Sequence, residues 1–209
     1  MDLEVLLFNN DGMSADACQN LLEIIKKHAP MNIKRIEFHN NMSGDIGATA
    51  VAGIIECLPK LEVFRWSATR TNEEGSTALC KALSHCPHMR ELIICDNYFG
   101  EDLGELAASM IASMKQLKTL RFSDLSEGVS FILFLGLGDD GVMPILRAIK
   151  EEGIKLEVLD LSYNDITEET IQFLCEWLED QTELKELVVG NNYLGSRLAC
   201  VREEEGGNT

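Results

Sequence analysis

The residues of this 209-residue chain with the most chemical reach are amides and carboxylates placed just after short apolar runs. Asn9, Asn10 and Asp11 follow Val5-Leu6-Leu7-Phe8, with Gly12 next. A carboxamide offers donors and an acceptor, so it can hold up backbone or reach a partner's polar group. Residues suited to intrinsic catalysis are not arranged for it. GxxxxGK[ST], GxSxG and HExxH are all missing from the sequence. His28, His39, His85 and His88 have no metal-ligand spacing with the cysteines. His85-Cys86-Pro87-His88 falls at a helix-to-strand turn and reads as a helix end with a cation near the negative dipole. Glu73-Glu74 and Asp139-Asp140 sit where helices should start, and acids favour that end. The sequence therefore implies no metal, no cofactor, no small-molecule substrate of its own and no enzyme chemistry.

What must position the amides is a repeat. The pattern LxxLxLxxNxL can be laid down seven times, starting at Leu3, Ile33, Leu61, Met89, Leu117, Leu156 and Leu184. Four of the six spacings are 28 residues; the others are 30 and 39. The LxL centre has period two and reads as a short strand with its apolar side inward. Each strand is followed by helical spacing, as in Ala15, Cys18, Leu21, Leu22 and Ile25 within Ser14 to Lys27, where Ser14 can cap. Further helices are predicted at about 44–58, 73–85, 101–114, 139–151 and 167–180. This is the leucine-rich repeat pattern in its longer, ribonuclease-inhibitor-like form. The fold class it implies is an α/β solenoid, with a parallel sheet on the concave face and helices on the convex face. Asn41, Asn97, Asn164 and Asn192 occupy the asparagine position and are expected to form a structural ladder. Asp11, Thr69 and Leu125 replace it in the other copies.

Composition narrows the partners. The net charge of −17, from 35 acidic against 18 basic residues, argues against nucleic acid and suits a basic protein. The start MDLEVLLFNND has no secretory leader, and the apolar run Phe131 to Leu137 is too short to span a membrane. The seven scattered cysteines read as reduced core thiols of a cytosolic protein. The repeat domain is expected over residues 1–195, with an irregular insertion at 126–135, and 196–209 as a disordered tail. The insertion reads either as an apolar flap or as an accident of gene prediction or splicing, the latter favoured. Both ends look cut, because capping units are missing from them.

The outward strand positions and the residue before each ladder position would line the concave face. They include Leu7, Asn9 and Asn10; Glu37, His39 and Asn40; Arg65; Ile93, Cys95 and Asp96; Arg121; Asp160; and Val188. Pattern alone leaves Asn9 and Asn10 open between solvation and contact, and stops at a protein-interaction module.

The segments LLFNNDGMSADAC, IKRIEFHNNMSGDIGATAVA, LEVFRWSATRTNEEGSTAL, HCPHMRELIICDNYFG and LEVLDLSYNDITEETI resemble consecutive repeats of the Ran GTPase-activating proteins, most closely the plant form. FHNNMSGD and SATR are the most specific, since they are loop residues and not the shared leucines. The resemblance implies binding to the small GTPase Ran in its GTP form. It implies acceleration of hydrolysis by orienting the GTPase's own glutamine, without an arginine finger. By the same resemblance Asn10 is the glutamine-orienting residue; Asn9, Glu37, His39, Asn40, Arg65 and Asp96, taken from the concave-face positions, are the candidate partner-binding residues. It also implies action in nucleocytoplasmic transport, in the cytoplasm and at the cytoplasmic face of the nuclear envelope. The family's essential arginine lies two repeats ahead of the Asn10 loop, and the plant form's targeting region lies further upstream. The chain starts after both, so weakened activity is expected. The rival reading is a scaffold or inhibitor using the same face without GTPase activation.

Overall fold

The computed structural model describes residues 3–28, 32–97, 100–123 and 136–195. The insertion at 126–135 and the tail from Ser196 lie outside the described residues. Seven strands form one parallel sheet in strict sequence order: β1 (Val5–Asn9), β2 (Arg35–His39), β3 (Val63–Ser67), β4 (Glu91–Cys95), β5 (Thr119–Ser123), β6 (Val158–Asp160) and β7 (Glu186–Val188). Between them run α1 (Ala15–His28), α2 (Gly44–Ile55), α3 (Glu73–Leu83), α4 (Gly104–Ala112, after a 3-10 turn at Glu101–Leu103), α5 (Gly138–Glu151) and α6 (Glu168–Glu179). The predicted helices and strands fall where the period placed them.

The alternation within each strand sorts the two faces. Leu6, Ile36, Phe64, Leu92, Leu120, Leu159 and Leu187 share one row, and Phe8, Phe38, Trp66, Ile94 and Phe122 share another. Both rows point at the helices. From β2 to β5 their members are buried, and a stacked aromatic run joins Phe8, Phe38 and Trp66 with centroids 4.8 and 5.1 Å apart. Leu6, Phe8 and Leu187, on the outermost strands, are only half-buried, since each lacks a neighbour on one side.

A parallel strand followed by a helix leaves a loop full of backbone donors and acceptors, and these must be satisfied. The ladder does it from the next repeat. Asn41 donates from Nδ2 to the Phe8 and His39 carbonyls at 2.7 and 3.2 Å and accepts the Met13 N–H at 3.0 Å. Asn97 donates to the Trp66 and Cys95 carbonyls and accepts the Thr69 and Thr71 N–H groups. Asn164 donates to the Phe122 and Ser162 carbonyls and accepts the Leu137 N–H. Asn192 donates to the Leu161 carbonyl and accepts the Asn164 and Ile166 N–H groups. Each amide thus fastens its own loop to the one before. Thr69, which cannot do this alone, belongs to a buried relay: Trp66 Nε1 donates to Thr71 Oγ1, which lies 3.0 Å from Thr69 Oγ1, and that hydroxyl donates to Asn97 Oδ1 at 2.7 Å.

A second tie joins helix starts on the convex side. Asp45, in the first turn of α2, accepts the Asn72 and Gly75 N–H groups at 2.7 and 3.0 Å and so caps α3 from the neighbouring repeat. Gly75 is needed for this approach, since a Cβ there would lie 2.8 Å from Asp45 Oδ1. Asp139 caps α6 in the same way, accepting the Thr167 N–H at 2.9 Å and hydroxyl donors from Thr167 and Thr170. Burial acts to raise both carboxyl pKa values, but these donors outweigh it and hold them below the ordinary value of 3.8.

Not every cysteine lies in the core. Burial pushes the Cys80 and Cys86 thiols up to about 12, whereas Cys57 is half-buried and Cys175 exposed on α6. The expectation of core thiols is corrected for Cys175, which α6 turns to solvent, while Cys57 packs half-buried against the core. His85 lies at a helix end, with Nδ1 3.0 Å from the Lys81 carbonyl oxygen.

Two outcomes follow. Asn164, only 3% exposed, leaves two carbonyls and an N–H unpaired when cut to alanine. Urea unfolding should show Asn164→Ala less stable by about 2–4 kcal/mol, with hydrogen exchange rising first around β5 and β6. Because the folded pKa values of Asp45 and Asp139 are depressed, their stabilisation is present above the unfolded value and lost as pH falls through the folded one. Acid titration of the double variant Asp45→Asn/Asp139→Asn should show a flatter loss of stability below about pH 4 than the native chain shows.

Candidate functional site

The concave face is crossed by rows of side chains one residue per strand. Leu7, Glu37, Arg65, Ile93, Arg121, Asp160 and Val188 are in register. Most of the charges in and beside this row are spent on one another. Glu37 is only 7% exposed and takes Arg35 on one side and Arg65 at 3.2 Å on the other. Arg65 reaches on to Glu91 at 2.5 Å. Arg121 forks to Asp160 at 3.0 Å and Glu186 at 2.9 Å. Partial burial lowers the arginine's pKa, but these two acids outweigh that and hold it above its ordinary value. Ahead of the strands a further row carries ion pairs between neighbouring repeats, with Lys34 on Glu4, Arg90 on Glu62 and Lys185 on Glu157.

Of the residues expected to bind a partner, Glu37 is thus buried within the sheet's ion pairs, and Arg65 is half-buried and doubly engaged. Cys95, expected to point outward, is 6% exposed with the Ser123 hydroxyl 3.1 Å from its sulfur. Inter-strand pairing of side chains hides these positions, which the period alone marks as surface. Asp96 is half-buried at the turn after β4.

The groups left open gather at one edge, where the strands of repeats one and two turn over. Asn9, Asn10, His39 and Asn40 are all exposed. The turn has a fixed geometry. The residue before each described ladder position has positive φ: Asn10 (60°), Asn40 (49°), Ala68 (50°), Asp96 (52°), Tyr163 (59°) and Asn191 (55°). This lets its N–H continue the parallel ladder, as from Asn10 to the His39 carbonyl at 2.9 Å and from Asn40 to the Ser67 carbonyl at 3.0 Å. Asparagine and aspartate tolerate that conformation better than other residues with side chains. The backbone is therefore itself a reason for amides here. Gly12, at φ 63°, completes the turn after Asp11, as its position suggested. The two rim amides also meet: Asn40 Nδ2 donates to Asn10 Oδ1 at 2.7 Å.

Arg70 and Met42, the one in SATR and the other in FHNNMSGD, were given no role of their own by the sequence. Arg70 is exposed at φ 60°, one repeat on from Asn40, with no ion pair among the described residues. Met42 is 59% exposed beside the ladder. A signal for Arg70 was available, since glycine or aspartate, residues that suit positive φ, stand two residues after the turn residue in repeats one and six (Gly12, Asp165).

Comparison with known proteins agrees with this geometry. The Leucine Rich Repeat family profile matches residues 155–177. The fold is that of a leucine-rich repeat solenoid of the ribonuclease-inhibitor type. Ribonuclease inhibitor from Sus scrofa is 25% identical over 92% of the chain, and the Mus musculus protein matches to the same extent. The chain spans 46% of the length of these relatives. The tropomodulin C-terminal domain of Caenorhabditis elegans superposes with a TM-score of 0.59, covering 81% of this repeat protein and 93% of that domain at 17% identity. That likeness is one of fold.

The positive φ values predict an asymmetry. Asn10→Ala and Asn40→Ala should each lower stability by about 1 kcal/mol, whereas Asn10→Gly should not. Ala68→Gly should raise it by a few tenths to about 1 kcal/mol. Thermal unfolding of the four variants is the check.

Proposed function

We propose that this repeat protein is a protein-binding module whose concave face and rim engage a small GTPase of the Ran type, and that Asn10 orients the glutamine with which that GTPase positions its attacking water. The observation that carries the reading is the rim itself. The charges of the concave sheet are largely consumed by inter-strand ion pairs, while Asn9, Asn10, His39 and Asn40 remain open at one edge. His39 and Asn40 lie in FHNNMSGD, one of the two segments whose likeness to Ran GTPase activators is most specific, and Asn9 and Asn10 lie in LLFNNDGMSADAC, which shares the likeness. An amide held on a rigid turn can fix a partner's amide, and positioning of that kind speeds hydrolysis without a covalent step. Under this reading the protein acts in trans in nucleocytoplasmic transport, in the cytoplasm and at the nuclear envelope. The net charge of −17 favours a partner with a basic docking surface.

The second reading is a scaffold or inhibitor that binds a protein and does not stimulate hydrolysis. Similarity to ribonuclease inhibitors over 92% of the chain supports it.

Single-turnover hydrolysis of GTP on Ran, with the repeat protein in excess, separates the two. Activation predicts hydrolysis faster than Ran's intrinsic rate, a preference for the GTP form in binding, and a loss of about a hundred-fold in stimulation for Asn10→Gly. No stimulation and no preference between GTP and GDP forms would rule out the activator and leave the scaffold.

A further inference from the structure

The amide pair at the rim carries an inference about which way Asn10 faces its partner. A carboxamide has two chemically opposite ends, and free rotation at the surface would present either one. Here the ends are distinguished by the neighbouring repeat. Asn40 Nδ2 donates to Asn10 Oδ1 at 2.7 Å, so the acceptor end of Asn10 is turned along the solenoid axis and occupied. Its donor end, the Nδ2 N–H pair, is left for solvent or a partner. The backbone holds both residues for this contact. Asn10 and Asn40 share the positive-φ turn, and the Asn10 N–H bonds the His39 carbonyl, one residue before Asn40. The ladder residue Asn41, beside Asn40, fixes the loop by bonding the Phe8 and His39 carbonyls. No other pair of turn residues in the described repeats shows an amide-to-amide bond.

We infer that Asn40 is a positioning residue that sets the amide of Asn10 with its donor end outward, so that the rim reads a partner's carboxamide by its oxygen. This rests on the reading of Asn10 as the residue that orients the GTPase's glutamine. A carboxamide oxygen has two lone pairs. With one taken by an Asn10 N–H, the other is directed to the attacking water, and the glutamine is held in the flip that keeps its oxygen toward that water. Asn40 touches neither the water nor the nucleotide; it acts through Asn10.

Asn40→Asp is the sharpest probe, because aspartate is nearly isosteric and tolerates the same φ. Its carboxylate can only accept, so Asn10 must flip to donate to it, and its oxygen then faces out. Side-chain amide exchange in the ¹⁵N-labelled full chain reads this directly. In the native chain one Asn40 Nδ2 proton should exchange several-fold more slowly than a free amide, lose that protection in Asn10→Gly, and leave the Asn10 protons fast. In Asn40→Asp the protection should move to Asn10. An Asn40 amide indifferent to Asn10→Gly would overturn the inference. In the Ran assay, Asn40→Asp should lose as much stimulation as Asn10→Gly, about a hundred-fold. Asn40→Gly, which frees Asn10 without inverting it, should lose less. Full stimulation by Asn40→Asp would equally sink the positioning role. Should the native chain leave Ran untouched, the GTPase reading fails, and the exchange data alone decide whether Asn40 orients Asn10.

Discussion

The structure depends on satisfying backbone groups in the turn between strand and helix. The turn leaves backbone N–H and carbonyl groups to be paired, and four of the turns borrow an amide for this from the next repeat. That borrowing makes the chain a solenoid and not a string of independent hairpins, since a loop is completed only when its neighbour is in place. It also fixes where function can sit. The residue before each described ladder position has positive φ, whether that position holds asparagine, aspartate or threonine, and this turn places a residue at the rim in each of those repeats.

Charge then decides which parts of the exposed sheet remain available. Parallel strands in register bring residues of equivalent positions side by side, and like charges there would repel. The chain mostly sets opposite charges together instead: Glu37 beside Arg65, Arg121 beside Asp160, and Glu4/Lys34, Glu62/Arg90 and Glu157/Lys185 ahead of the strands. Exposed pairs of this kind add little stability each. The same pairs remove most of the concave face from the set of groups free to meet a partner.

Much of the fold was legible because it is periodic. The LxL centres, the apolar stripes and the ladder asparagines each repeat at fixed offsets, and burial followed them. The ties between repeats were less legible. Nothing local in Asp45 announces that it caps α3, since its partners Asn72 and Gly75 lie about one repeat away. Thr69 looks like a defect in the ladder until Trp66 and Thr71 are seen to complete it. Glu37 and Cys95 read as surface because alternation predicts a direction, and only the neighbouring strands determine whether that direction is covered. At the candidate site, the sequence singled out Asn10 and Asn40 correctly as outward, but not the positive φ that gives each a structural reason to be asparagine.

That double reason sharpens what the rim amides mean. If the turn alone dictated the residue, the six described positions would converge on glycine, asparagine or aspartate. They do not: Ala68 and Tyr163 occupy the same conformation as Asn10, Asn40, Asp96 and Asn191. The fold thus tolerates a residue with no polar group and one with a large ring, each at a conformational cost of about 1–2 kcal/mol. Conformation therefore permits an amide at position 10 without requiring one. A hydrogen bond between two exposed amides contributes only about 0.5–1.5 kcal/mol to stability, which is a weak reason to keep both. What the pair does provide is orientation, at a rim whose side chains are not taken up by ion pairs as Glu37, Arg65 and Arg121 are on the sheet. An oriented, exposed, unconsumed amide on a rigid turn is poorly explained by folding and well suited to holding another amide in place.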